Sequence, residues 1–507
     1  MFDVGGGFIA AVERDPKALA VVDGTRRQNY GDWYRDIRRL VGGLDGLGLR
    51  HGDHLLIALQ NTWEMASLHW ACQLAGIVAT PVNWRLTPEE MDYFLEDSGA
   101  KAMVFQAETA EATGQSARAA KLPRIAVGAA EGGSHAFEAL LDTAPVENLP
   151  RAGPEDLSLM LYTSGTTGRG KGVPRRHRAE RAAGLAHVAQ NLYRFGEVTL
   201  GVMPLYHTMG VRSLLAMAAI NGAFVCLPRF DPAGALALIE AERITTLYLV
   251  PTLYHDLLVE ESFAERDRSS VRKLGFAGAP MTEGLMRRLD AAFKPELFVN
   301  HYGSSEIYTF TVDQRAAAKP GSAGKAGLNQ IIRVVGLDAS DPQDVVAAGE
   351  EGQIVASLAG DEAFEGYHRR ADADAAALRQ GWYFTGDVGH FDIDGDLFVT
   401  GRVDDMIITG GENVLPVEIE SVLSLHPAVA EVAVAGLADA RLGQQVAAFV
   451  TRREAVTAEE LDAYCKASAL ANFKRPREYV FVKAVPKSPV GKILRRMLLA
   501  GDYERED

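Results

Sequence analysis

Residues 161–172, Leu-Tyr-Thr-Ser-Gly-Thr-Thr-Gly-Arg-Gly-Lys-Gly, hold four aliphatic hydroxyls, four glycines and two cations. Hydroxyls and close backbone N–H groups donate to anionic oxygens, glycines let the main chain approach, and Lys171 adds a point charge. An apolar run, 157–162, leads in as a buried strand, so the stretch describes a polyphosphate cradle. Gly165, Gly170 and Lys171 also satisfy the spacing of a P-loop, which then requires Ser or Thr to reach Mg²⁺. Gly172 stands in that place, and Val-Pro-Arg-Arg-His at 173–177 is a poor helix start. The hydroxyls Thr163, Ser164, Thr166 and Thr167 precede the lysine instead, interleaved with Gly165 and Gly168.

Further stretches could share the chemistry. Tyr302-Gly303-Ser304-Ser305-Glu306 follows an expected strand, where α/β proteins place ligands. Glu306 could hold Mg²⁺, which takes one or two carboxylates besides phosphate oxygens, and Tyr302 could stack on a base; a capped helix start would read the same way. Asp387, after Gly386, could accept both ribose hydroxyls or be a β-turn aspartate. Asp392, Asp394 and Asp396 lack an EF-hand register and read as a hairpin turn. Gly401-Arg402-Val403-Asp404 precedes a change of pattern, Gly410-Gly411 lies in a polar loop, and Lys492 follows Gly491 near the C-terminus.

The positioning elements alternate. A hairpin is expected over 17–30, helices over 33–47, 63–75 and 88–98, and strands over 54–59, 77–82 and 102–105. Such β–α–β alternation implies a largely parallel sheet covered on both faces. Residues 107–156 read as a looser connection. After the cradle, helices are expected at 178–193, 211–220, 232–242, 252–259 and 281–293, with strands at 199–203, 223–227, 245–250, 273–277 and 297–301. Residues 327–400 switch to short strands and turns. A small α+β unit then begins near 402–405, with helices at 415–425 and 458–467 and strands at 429–436 and 446–451.

At 507 residues, several domains are expected. A net charge of −15 argues against nucleic-acid or anionic-membrane partners. Three scattered cysteines suit a reducing cytoplasm, and neither a signal peptide nor a membrane span is expected.

In this order and spacing the motifs resemble those of the adenylate-forming superfamily, nearest to bacterial aryl-CoA ligases of the halobenzoate and benzoate type. Residues 203–207 (Met-Pro-Leu-Tyr-His), 404–414 and 473–476 (Phe-Lys-Arg-Pro) look like that branch. The family usually has proline where Gly170 stands. The resemblance implies an α/β fold: a large N-terminal domain of doubly wound mixed sheets plus a β subdomain, 1–403, and a small mobile α+β lid, 404–507. It implies that a small-molecule carboxylate is adenylated by MgATP with release of pyrophosphate, then transferred to coenzyme A.

The roles it implies are as follows. Thr163, Ser164, Gly165, Thr166, Thr167, Gly168 and Lys171 bind ATP, as do Gly278, Ala279, Tyr302, Gly303, Ser304, Ser305, Asp387 and Arg402. Thr163 and Glu306 serve Mg²⁺; Lys492, Glu306, His207 and Gly411 are catalytic; Asp404 is the hinge. His207, Thr208, Tyr248, Gly278, His301, Gly303 and Tyr308 line the acyl pocket, with Thr309 nearby. Arg85, Gly410, Gly411, Phe473 and Arg475 face coenzyme A, although Lys474 and its neighbours could equally form a basic surface patch. The polar, aromatic pocket favours 2-furoate, benzoate, hydroxybenzoate or halobenzoate, because an alkyl chain would strand buried polar groups. A monomer or homodimer is expected. The competing readings are a medium-chain fatty-acyl-CoA ligase, an adenylation domain loading a carrier protein, and a P-loop NTPase.

Overall fold

A computed structural model describes residues 2–163, 170–487 and 493–506. One sheet runs in the order His135–Ala136, Arg124–Ala126, Ala102–Phe105, His54–Ala58, Val78–Pro81, Leu157–Thr163, Lys171–Arg176. Its strands are parallel except the last pair, which is antiparallel and places Thr163 opposite Lys171. The loop 164–169, outside the described residues, therefore joins two antiparallel strands. A P-loop joins a strand to a helix N-terminus, so the NTPase reading falls.

The larger sheet has a parallel run, Leu297–Tyr302, Lys273–Phe276, Thr246–Leu249, Val198–Gly201, Ala223–Cys226 and Leu19–Asp23. These strands are short and mostly buried, as expected where helices cover both faces. Pairing turns antiparallel at Leu297–Tyr302 and stays so through Thr311–Asp313, Ser322–Ala326, Leu397–Arg402, Trp382–Phe391, Gly352–Ser357 and Ile332–Val335. The Tyr302–Glu306 segment sits at that switch.

The small C-terminal domain has its own sheet, of Glu412–Val414, Ile407–Thr409, Gly443–Arg452, Val429–Asp439 and Glu478–Phe481, with helices Pro416–Ser424 and Ala458–Ala467 packed on a separate core. Among the described residues, no helix is long and apolar enough to cross a membrane.

One expectation needs correction. The connection 107–156 contains helices Ala110–Gln115 and Phe137–Leu141, and two short strands that extend the first sheet. A helix, Val4–Arg14, precedes the expected hairpin; its Phe8 ring stacks on Trp70 with centroids 4.4 Å apart.

Candidate active site

The cradle's described ends are anchored from below. Tyr93, on helix Pro88–Ser98, donates to the Gly170 carbonyl at 2.7 Å, and Tyr162 donates to Asp97 at 2.8 Å. Ser164, Gly165, Thr166, Thr167, Gly168 and the catalytic candidate Lys492 lie outside the described residues. At the near edge, the Thr163 hydroxyl is buried without a hydrogen-bond partner among the described residues. Across the pair, the Lys171 ammonium lies 4.3 Å from the centroid of the Tyr367 ring.

Tyr367 joins the two halves of the site. Its hydroxyl donates to Glu306 Oε1 at 2.6 Å, with both side chains buried. Burial, then the Glu306 carboxylate, raises this hydroxyl's pKa above the ordinary tyrosine value, so it stays protonated and donates. The Glu306 main chain is fixed from behind by the fully buried Arg175. Arg175 donates to the carbonyls of Glu306 (2.8 Å) and Glu362 (2.7 Å), pairs with Glu180 at 2.8 Å and lies over the Tyr308 ring. At Gly303 the turn is so tight that a Cβ would lie 2.1 Å from the Tyr308 carbonyl oxygen; only glycine fits. Ser304 closes the turn, donating its N–H to the Ile307 carbonyl at 2.9 Å, with Ser305 half-buried beside it. A buried carboxylate and an orphaned hydroxyl, linked through Tyr367 and Lys171, are hard oxygen donors that suit Mg²⁺.

The expected nucleoside residues also come together. Tyr302 donates to Asp387 Oδ2 at 2.6 Å, and Arg402 Nη1 lies 3.0 Å from Asp387 Oδ1, in register across neighbouring strands. Gly278, exposed with φ +84°, and Ala279 follow the end of strand Lys273–Phe276.

His207 caps helix Thr208–Ala219, its Nδ1 accepting the Met209 N–H at 3.3 Å. Burial, and then Arg212, pushes its pKa down to about 4. The imidazole is neutral at pH 7, with Nε2 as its N–H donor.

The remaining acyl-pocket candidates correct the argument built on them. Tyr308 donates to Glu180 at 3.0 Å, His301 Nε2 meets the Asn191 amide at 3.1 Å, Tyr248 accepts from Arg212, and Arg212 donates to Thr309 at 2.7 Å. Most of these polar groups already have protein partners, so an alkyl substrate would strand few of them; His301 Nδ1 and Arg212 Nε are buried without one among the described residues. Sequence reasoning missed Arg175, Arg212 and Tyr367. Arg212 left one signal, as the lone charge in an otherwise apolar helix.

On the coenzyme A side, Arg85 is exposed and lies 3.8 Å from the Trp84 ring centroid. Gly410 and Gly411, both at positive φ (61° and 87°), form the two-residue turn of the hairpin Ile407–Thr409 and Glu412–Val414, a geometry that favours glycine. Phe473 is 41% exposed. Arg475, expected to meet coenzyme A, is spent on Asp462, and Lys474 on Glu418 at 2.6 Å. Asp404 is exposed in a single helical turn, whereas its neighbour Asp405 pairs with Arg495 at 3.2 Å. Asp392, Asp394 and Asp396 do form a hairpin turn, and Lys319 bridges all three carboxylates.

Residues 8–368 match the AMP-binding enzyme family, and residues 418–492 match the AMP-binding enzyme C-terminal domain. The chain belongs to the AMP-binding enzyme family. It is 33% identical over 495 residues to a 4-chlorobenzoate–CoA ligase of Arthrobacter sp, covering 96% of this chain and 93% of the relative. It is 32% identical to the long-chain-fatty-acid–CoA ligase FadD13 of Mycobacterium tuberculosis, covering 93% and 92%. ATP-bound MatB from Rhodopseudomonas palustris matches with a TM-score of 0.90 and 28% identity over 99% of both chains. This AMP-binding enzyme is accordingly an ATP-dependent acid–thiol ligase.

Proposed function

We propose that this ligase activates a small aromatic or heteroaromatic carboxylate, in the range of 2-furoate, benzoate and halobenzoates, and passes the acyl group to coenzyme A. The observation that carries the ATP half is the contact chain Lys171–Tyr367–Glu306 at the end of the parallel strands. The acid class is supported by similarity to a 4-chlorobenzoate ligase and by the aromatic rings of Tyr248 and His301, whose centroids lie 5.5 Å apart.

In the first step a carboxylate oxygen attacks the α-phosphorus of ATP and pyrophosphate leaves. Such chemistry asks the protein for positioning and charge neutralisation. Lys171 and the hydroxyls from Thr163 to Thr167 hold the β- and γ-phosphates; Tyr302, Asp387 and Arg402 hold the nucleoside. Mg²⁺, when bound by Glu306 and Thr163, neutralises polyphosphate charge. Lys492 bridges the carboxylate and the α-phosphate, while neutral His207 orients the acid through Nε2–H. In the second step the small domain turns about Asp404, Lys492 withdraws and the Gly410-Gly411 hairpin enters. The thiol of coenzyme A then attacks the acyl carbon and AMP leaves.

A fatty-acyl substrate is the second reading. It is favoured by the internal partners of Tyr248, His301, Tyr308 and Thr309, which an alkyl chain would leave undisturbed. A panel of 2-furoate, benzoate, 4-chlorobenzoate, octanoate and acetate, read by pyrophosphate release with and without coenzyme A, separates the two. Ring acids should lead; turnover with octanoate alone selects the second reading, and indifference to coenzyme A points to a carrier protein.

A further inference from the structure

Charged side chains are almost never fully buried without a partner of opposite charge. Three cations are buried among the described residues: Arg175, Lys273 and Arg212. Arg175 pairs with Glu180 and Lys273 with Glu197. Arg212, 1% exposed, forms no ion pair among the described residues. Its contacts are neutral: the Tyr308 carbonyl at 3.1 Å, the Thr309 hydroxyl at 2.7 Å and the Tyr248 hydroxyl. A guanidinium has five N–H donors. These contacts use three, and Nε is buried with no partner among the described residues.

No direct ion-pair partner of Arg212 stands among the described residues. Burial pushes the pKa values of His187, His301 and His207 down, so all three are neutral at pH 7. Glu362 lies within electrostatic reach of Arg212 but forms no ion pair with it among the described residues; burial raises its pKa, and Arg212 and Arg175 pull it back down. Arg212 also stands one helical turn, about 5.4 Å, beyond Thr208 on the same face. His207 at the helix cap feels the Arg212 charge, so the two side chains are electrostatic neighbours.

We infer that Arg212 is the specificity residue of the acyl site and reads an oxygen acceptor carried on the substrate's ring away from the reacting carboxylate. The substrate class is then hydroxy- or carboxy-substituted aromatic acids, with the spare N–H donors of the guanidinium meeting the distal oxygen. This inference rests on the ring-acid reading above. A site built around a buried donor discriminates strongly against an analogue lacking the acceptor.

The test compares kcat/KM for pyrophosphate release with 4-hydroxybenzoate and terephthalate against benzoate, in the full-length wild type and in Arg212→Met. The wild type should prefer the acceptor-bearing acids by about tenfold or more, and the ratio should fall toward one in Arg212→Met. If that variant does not fold, equilibrium binding of the same acids to the wild type decides the matter. Tighter binding of the acceptor-bearing acids supports the inference, and equal binding overturns it. A ratio near one in the wild type, or one that survives Arg212→Met, overturns the Arg212 role while leaving the ring-acid reading intact. Pyrophosphate release with octanoate and with no ring acid overturns both.

Discussion

Tyr367→Phe is the sharpest perturbation of the ATP site. It deletes one hydroxyl and keeps the ring that faces Lys171 at 4.3 Å, so the cation's aromatic contact survives. What is lost is the 2.6 Å hydrogen bond to Glu306 inside a buried site. A hydrogen bond to a charged group is worth about 1.5–3 kcal/mol, or about 10- to 150-fold in an equilibrium. Removing a group that orients a metal-holding carboxylate typically costs about 10- to 100-fold in metal affinity. The account therefore expects the Mg²⁺ concentration for half-maximal pyrophosphate release to rise by about tenfold or more, with the KM for the carboxylic acid little changed. Tyr367→Leu, which also removes the face under Lys171, should raise the KM for ATP in addition. A folded Tyr367→Phe enzyme with an unaltered Mg²⁺ profile would refute Tyr367 as the link between Lys171 and Glu306.

Other expectations concern the supports of the site. Glu180→Leu strands Arg175 as an unpaired buried charge and unpartners the Tyr308 hydroxyl; urea unfolding should show a loss of about 3–5 kcal/mol, and a loss within error would mean the pair is not structural. Gly303→Ala places a Cβ 2.1 Å from the Tyr308 carbonyl oxygen; pyrophosphate release should collapse, and a near-wild-type rate would show that the turn is not tight. His177 is fully buried, its Nδ1 accepts the Val4 N–H at 3.3 Å, and burial lowers its pKa to about 4. The folded state thus binds fewer protons than the unfolded state between about pH 4 and 6.5, so stability is full above that window and falls as pH drops through it, by about 3 kcal/mol for this group. Unfolding at pH 7 and pH 4.5 checks this, with a smaller acid loss in His177→Gln.

Local signals account for the elements read correctly from sequence. Helices Trp63–Ala75, Pro88–Ser98 and Ala458–Ala467 begin after Thr62, Thr87 and Thr457, each of which caps with its side chain, the last two in capping boxes with Glu90 and Glu460. Helix Val4–Arg14 contradicts its propensity, since Gly5, Gly6 and Gly7 disfavour helix; burial of Phe8 against Trp33 and Trp70 overrides it. The residue types of 161–172 and of Tyr302–Glu306 lie close together in the chain, so the sequence alone singles them out as candidates. Tyr367 is 61 residues from Glu306, and Arg175 is 131 residues from it; only the folded sheets bring them there. The polar acyl segments are visible in the sequence, but their partners Arg212, Asn191 and Glu180 are not, which is why the sequence suggests more unmet polar groups than the structure leaves: among the described residues His301 Nδ1 and Arg212 Nε stay unpartnered, while Tyr248, Tyr308 and Thr309 are paired.

The most direct test of the account is the fate of ATP when the enzyme, Mg²⁺, benzoate and coenzyme A are combined. The account predicts AMP and pyrophosphate in equal amounts with the benzoyl thioester of coenzyme A, all three absent without the acid. Formation of ADP and phosphate, or acid-independent hydrolysis, would contradict it.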